Sequence, residues 1–109
     1  MHVTEIVLFR TKPDCADEGL ELARKVPQEA AKFGRMREHR TYRSTEDPCL
    51  LCHHIVWESM ADFEKANAHF SDFPSGPRLM ACMEPDMTMH HFELMSQGQG
   101  QQAEAVQKA

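Results

Sequence analysis

Apolar positions along the chain change period several times, and each change marks an element. Residues 2 to 11, HVTEIVLFRT, are rich in β-branched and aromatic side chains and stop at Lys12-Pro13-Asp14, which predicts a first strand closed by a turn. From there to Gly34 the spacing turns helical. Leu20, Ala23, Val26, Ala30 and Phe33 recur at helical intervals, Asp14, Asp17 and Glu18 gather at the N-terminal end, Lys32 lies near the other end, and Gly34 stands where a helix stop favours glycine. This helix is expected to kink or split near Pro27, whose ring does not fit an unbroken helix.

Residues 36 to 44, MREHRTYRS, run into the turn-forming STEDP at 44 to 48, and CLLCHHIVWES follows at 49 to 59, so two strands joined by a hairpin are predicted. Ser59 can cap a second helix, MADFEKANAHF, with Asp62 at the third position of the capping pattern and Met60, Phe63 and Phe70 on one face. DFPSGP at 72 to 77 interrupts that helix and RLMACM at 78 to 83 resumes it. Glu84-Pro85-Asp86 then turns the chain into a fourth strand, MTMHHFELM. Residues 96 to 109 form a Gln-, Gly- and Ala-rich tail expected to lie outside a domain spanning residues 1 to 95.

The element order β-α-β-β-α-β is the split βαβ arrangement of α+β, ferredoxin-like domains: a four-stranded antiparallel sheet in the order 4-1-3-2 with its helices on one face. Such a sheet should show one dry and one wet side. The third strand does not alternate that way. Leu51, His53, Ile55 and Trp57 point to one side, Leu50, Cys52, His54 and Val56 to the other, and both sets are largely apolar or aromatic. A second copy of the same sheet is the simplest cover for the other side, so a homodimer packed sheet to sheet is expected.

Composition narrows the function. Lys and Arg total 12 against 17 for Asp and Glu in 109 residues, with a net charge of -5 and no basic cluster, so no nucleic-acid partner is expected. No apolar run reaches the length of a membrane span and no secretory signal pattern opens the chain; a cytoplasmic protein with reduced thiols and no membrane partner is the expectation. CLLCH at 49 to 53 matches the bare pattern of c-type haem attachment, but Cys49 and Cys52, an odd number of positions apart on a strand, point to opposite sides and do not converge. The pairs His53-His54 and His90-His91 fall on strands separated by the first strand, and only Glu5 between them could help complete a metal site, so no metal is expected. Without a G-x-G-x-x-G, a P-loop or a G-x-S-x-G, nucleotide cofactors and serine hydrolysis have no basis.

Taken with Trp57-Glu58-Ser59 at the end of the third strand and His69 in the second helix before a proline-containing break, the element order over residues 2 to 95 resembles the antibiotic biosynthesis monooxygenase-like group of the dimeric α+β barrel superfamily. The resemblance implies a dimer with a cavity in each protomer between sheet and helices. It also implies a small apolar, aromatic, quinol or polyketide-like ligand, and cofactor-independent oxygenation as the reaction. The alternatives it carries are a non-catalytic ligand-binding or stress-associated dimer, a polyketide cyclase, and a haem-binding or haem-degrading protein. Trp57 and His69 could correspond to the tryptophan and histidine of haem-degrading members, but HVTEIVLFRT lacks the first-strand asparagine those members use.

On that footing the Trp57 side is the ligand side. His53 shares it, and His69 on the covering helix joins it, so these two histidines are the candidate bases for a phenolic or enolic substrate. Trp57 and Phe63 are the expected stacking residues. His90 and Phe92, which share a face of the fourth strand, are expected to border the ligand, and Tyr42, with Arg40 and Arg10 as further candidates, is expected to hold a developing oxyanion. Met80, Met83, Met87 and Met89 are expected in the core or dimer contact first, and as ligand lining second.

Overall fold

A computed structural model of the chain describes residues 1 to 100; the rest of the tail expected at 96 to 109 lies outside the described residues. The elements are β1 (Val3–Arg10), α1 (Ala16–Ala30), β2 (Met36–Arg43), β3 (Leu50–Trp57), α2 (Met60–Asn67), α3 (Gly76–Ala81) and β4 (Thr88–Phe92), with short 3-10 turns at Pro13–Cys15 and Phe70–Asp72. The strands form one antiparallel sheet in the order β2-β3-β1-β4, the expected ferredoxin-like arrangement.

α1 departs from expectation at Pro27, through which it runs as a continuous helix. The proline sits close to the C-terminal end, and the bond its missing N–H forfeits is the one to the Ala23 carbonyl. That carbonyl is bonded instead by the side chain of His53. β4 ends at Phe92, shorter than the run predicted up to Met95.

Ser59 starts α2 as read from the sequence. Its hydroxyl oxygen accepts from the Asp62 N–H at 3.2 Å and its O–H donates to Asp62 Oδ2 at 2.7 Å. Asp62 also accepts from the Arg35 backbone N–H at 2.9 Å and from its Nε at 3.3 Å. These bonds, the Ser59 hydroxyl first and the Arg35 amide next, hold the carboxyl at a pKa of about 2. Gly34 allows this close approach, because a methyl group there would run into the Asp62 carbonyl and meet the Trp57 ring at 3.2 Å.

Directly opposed residues in a sheet share a face, and the register therefore sorts every strand residue. Glu5, Val7 and Phe9 of β1, and Leu51, His53, Ile55 and Trp57 of β3, lie under the helices and are buried. Leu50, Cys52, His54 and Val56 lie on the outer face and stay partly exposed in the single chain, beside Leu8, which is 45% exposed.

Candidate functional site

Between the helix-facing side of the sheet and the helices lies a cavity of about 250 Å³, close to the lower end of the roughly 300–1,000 Å³ typical of ligand sites. Its floor is made by β1 and β3. α1 contributes Val26, Pro27 and Ala30, and α2 contributes Phe63, Ala66 and Asn67. Phe70, Phe73 and the methionines Met80, Met83, Met87 and Met89 complete the wall, with Met80, Met87 and Met89 partly open to solvent.

Of the residues expected around a ligand, the structure brings His53, Trp57 and Phe63 to this cavity. His53 is 5% exposed and lies 5.0 Å, centroid to centroid, from the ring of Phe9. Its Nε2–H donates to the Ala23 carbonyl at 2.7 Å, the carbonyl that Pro27 leaves free. A carbonyl can only accept, so this bond places the proton on Nε2 and leaves Nδ1 as the lone-pair acceptor of the neutral ring. Burial lowers the His53 pKa below the ordinary 6.5; the Ala23 bond opposes that shift, and the neighbouring His39 adds to it. The imidazole is thus held neutral and in one tautomer.

Trp57 is 2% exposed, and its Nε1–H donates to Glu5 Oε1 at 2.7 Å. Phe63 meets the indole edge-on at 6.1 Å and also packs on the ring of His91 at 4.1 Å. Glu5, considered from the sequence only as a possible metal ligand, is a cavity residue at 5% exposure. Burial raises its pKa above the ordinary 4.5, and the indole bond reverses only part of that. A sequence signal for it existed: Glu5 falls in the same alternating set as Val7 and Phe9, a carboxyl in an inward-facing position.

The other expected residues lie elsewhere. His90 and Phe92 oppose Ile6 and Thr4 across the β1–β4 ladder, on the outer face of the sheet, with Phe92 53% exposed. It is His91, opposite Glu5, that turns toward the helices; burial lowers its pKa, and His90 adds to the shift. Tyr42 opposes Cys52, also on the outer face. Arg10 pairs with Asp47, and Arg40 with Glu38 at 3.7 Å, both away from the cavity. His69 follows the end of α2, where its ring stacks on Phe33 at 4.6 Å and Nδ1 lies 3.0 Å from Asp72 Oδ2; its side chain is 47% exposed and does not line the cavity. None of the three groups expected to hold an oxyanion, Tyr42, Arg40 and Arg10, lines the wall, whose polar side chains are Glu5, His53 and Asn67.

The thiols of CLLCH are free, and Cys52 sits on the opposite side of β3 from His53. Among the described residues no three His, Cys, Asp or Glu side chains are grouped so as to hold a metal ion, and no helix is long and apolar enough to cross a membrane.

Solved structures share this fold. The cofactor-independent oxygenase SnoaB from Streptomyces nogalater superposes with a TM-score of 0.77 at 17% identity, over 88% of this chain and 95% of that one. A putative antibiotic biosynthesis monooxygenase from Nitrosomonas europaea gives 0.71 at 15% identity, over 88% and 100%. Another from Bordetella bronchiseptica gives 0.68 at 19%, over 87% and 98%. At these identities the likeness is one of fold. No protein-family model matches the chain, and no curated protein matches it.

Proposed function

We propose that this chain is an antibiotic biosynthesis monooxygenase-like protein that binds a small, largely apolar aromatic, quinol or polyketide-like molecule in the cavity and oxygenates it without metal or flavin. The observation that carries the reading is a neutral imidazole, His53, fixed by a helix carbonyl in the wall of an otherwise apolar cavity beside Trp57. The fold shared with SnoaB, described as a cofactor-independent oxygenase, supports it.

His53 Nδ1 takes the proton of a phenolic or enolic group, and the resulting electron-rich anion reduces dioxygen. A carbon–oxygen bond forms at the activated ring carbon, and the peroxide collapses to a carbonyl with loss of water. One dioxygen is consumed per CH2 converted to C=O, its second oxygen leaving as water. The aromatic wall of Trp57 and Phe63 keeps the ring in place and water out.

The partly exposed apolar outer face of β1 and β3 supports a homodimer packed sheet to sheet, and four free thiols suit a reducing, cytoplasmic setting.

An oxygen electrode with a panel of anthrones and hydroquinones tests the reaction. Uptake is expected from the native protein, with a fall of about 100-fold or more in His53→Ala, the size of effect expected for loss of a general base. His69→Ala should match the native rate, because that ring lies outside the cavity. Uptake no higher than that of the His53→Ala protein would leave a ligand-binding protein without this reaction.

A further inference from the structure

Glu5 is the cavity's unexplained charge. Its Oε1 receives the Trp57 indole, but Oε2 has no hydrogen-bond partner among the described residues, and no lysine or arginine lines the wall. A carboxyl this deeply buried is normally paired with a cation or surrounded by donors. Here, among the described residues, it has one donor, the indole; His91, directly opposite on β4, packs its ring on Phe63, and its Nε2 bonds to nothing. The register places it with care: Glu5 opposes Ile55 on β3, with Trp57 and His53 as diagonal neighbours, and His91 on β4. Diagonal positions lie about 7–8 Å apart, so Glu5 and His53 present two polar points across a gap that a flat ring can span.

We infer that Glu5 is the residue that anchors ligands in this cavity, and that it selects an uncharged, flat aromatic molecule whose hydroxyl donates to Oε2. A molecule arriving already as a phenolate or aryl carboxylate would meet Glu5 while His53 and His91, their pKa values lowered by burial, supply no counter-charge. An ammonium would have to shed its water among apolar side chains for a single carboxylate. An ether of the same outline offers no proton to Oε2 and leaves the carboxyl unsatisfied, which is where a polar site gains its discrimination. The raised pKa of Glu5 agrees with a carboxyl awaiting a donor. The assignment rests on the cavity being a ligand site, as proposed above, and not on any reaction taking place there.

Calorimetric titration with three probes of one outline tests it: 1-naphthol, 1-methoxynaphthalene and 1-naphthylmethylammonium. The native protein should bind the naphthol about tenfold or more tightly than the ether, the effect of one hydrogen bond to a charged acceptor. Glu5→Gln keeps an acceptor for the indole and should abolish the difference; if that variant does not fold, Glu5→Met, close in length and apolar, should do the same. Trp57, the single tryptophan of the chain, reports by its emission whether the wall is intact in each variant. Equal affinity for naphthol and ether, preference for the ammonium, a preference that survives Glu5→Gln, or no binding of any probe overturns the inference. Hydroxyl preference without oxygen uptake would remove the oxygenase reading alone, and uptake without hydroxyl preference would remove this one alone.

Discussion

The imidazole of His53 fills the place in α1 that Pro27 leaves open: the proline has no N–H for the Ala23 carbonyl, and His53 Nε2 donates to it at 2.7 Å. A helix defect and a buried polar side chain thereby satisfy each other. Pro27→Ala restores an N–H that competes for the same carbonyl. The Ala23 bond holds the His53 pKa up against burial, so the variant's His53 should titrate lower than the native ring. An NMR pH titration of the His53 ring protons checks this, and an unchanged or higher midpoint would break the link.

Glu5 should make stability depend on pH. Its folded pKa lies above 4.5, so the protonated form favours the fold; that contribution is present below the unfolded pKa and is lost as pH rises through the folded one. Glu5→Gln carries no charge at any pH and should gain on the native protein from acid to neutral pH. His53 and His91, which share the helix-facing side with Glu5, have lowered pKa values and weaken the fold on the acid side of 6.5 in both proteins, so they drop out of the difference. Urea unfolding at several pH values measures it, and a flat difference would contradict the burial argument.

Asp62 has the opposite sign. With a folded pKa of about 2, its ionised form supports the fold above the ordinary carboxyl pKa of 3.8, and that support fades as pH falls toward 2. Asp62→Asn should therefore be less stable than the native protein at neutral pH and converge with it in strong acid. Thermal melts across that range decide the matter; a gap that persists at the acid end would show that the cap works without its charge.

Gly34→Ala tests the approach of α2 to the chain entering β2. The added methyl group meets the Asp62 backbone carbonyl, which cannot swing aside as a side chain would. A loss of about 1–3 kcal/mol is expected, the usual cost of forcing extra volume into a packed site. Denaturant midpoints measure it, and native-like stability would mean that the helix start yields easily.

The outer face of the sheet should hold two copies together. Leu8 stands in the middle of β1, between Cys52 and Thr88 on its neighbouring strands. A carboxylate placed there twice in one interface would face its own copy or be buried without a partner. Leu8→Glu should turn a dimer into a folded monomer, read by light scattering together with circular dichroism. A native protein that is already a monomer would sink the sheet-to-sheet arrangement.

The period of the hydrophobic pattern was enough to place β1 and β3, and with them His53 and Trp57, because an uninterrupted strand keeps its parity from end to end. Alternation does not carry through β2, whose ladder is irregular. Met36 opposes Trp57 on the helix side, whereas Tyr42, an even number of residues later, opposes Cys52 on the outer side; the register shift between Met36 and Glu38 exchanges the faces. For His90 and His91 the strand offered aromatic or apolar companions on both sides, and only the pairing of His91 with Glu5 settles which one turns inward. His69 was misplaced by extending the helical period past Asn67, where α2 ends and the chain tightens into a 3-10 turn that lays the ring on Phe33.

The two ends of the cavity differ in stiffness. Its base is hydrogen-bonded strand carrying Glu5, His53 and Trp57, while Met80, Met87 and Met89 stand at the opening, unbranched side chains with several rotatable bonds. On the proposed ligand reading, a bound molecule would be judged strictly on the portion that reaches the sheet and leniently on whatever trails behind it. Compounds sharing one hydroxylated ring but differing in their substituents at the far edge should be accepted alike, and screening for the natural ligand is best varied at the buried ring.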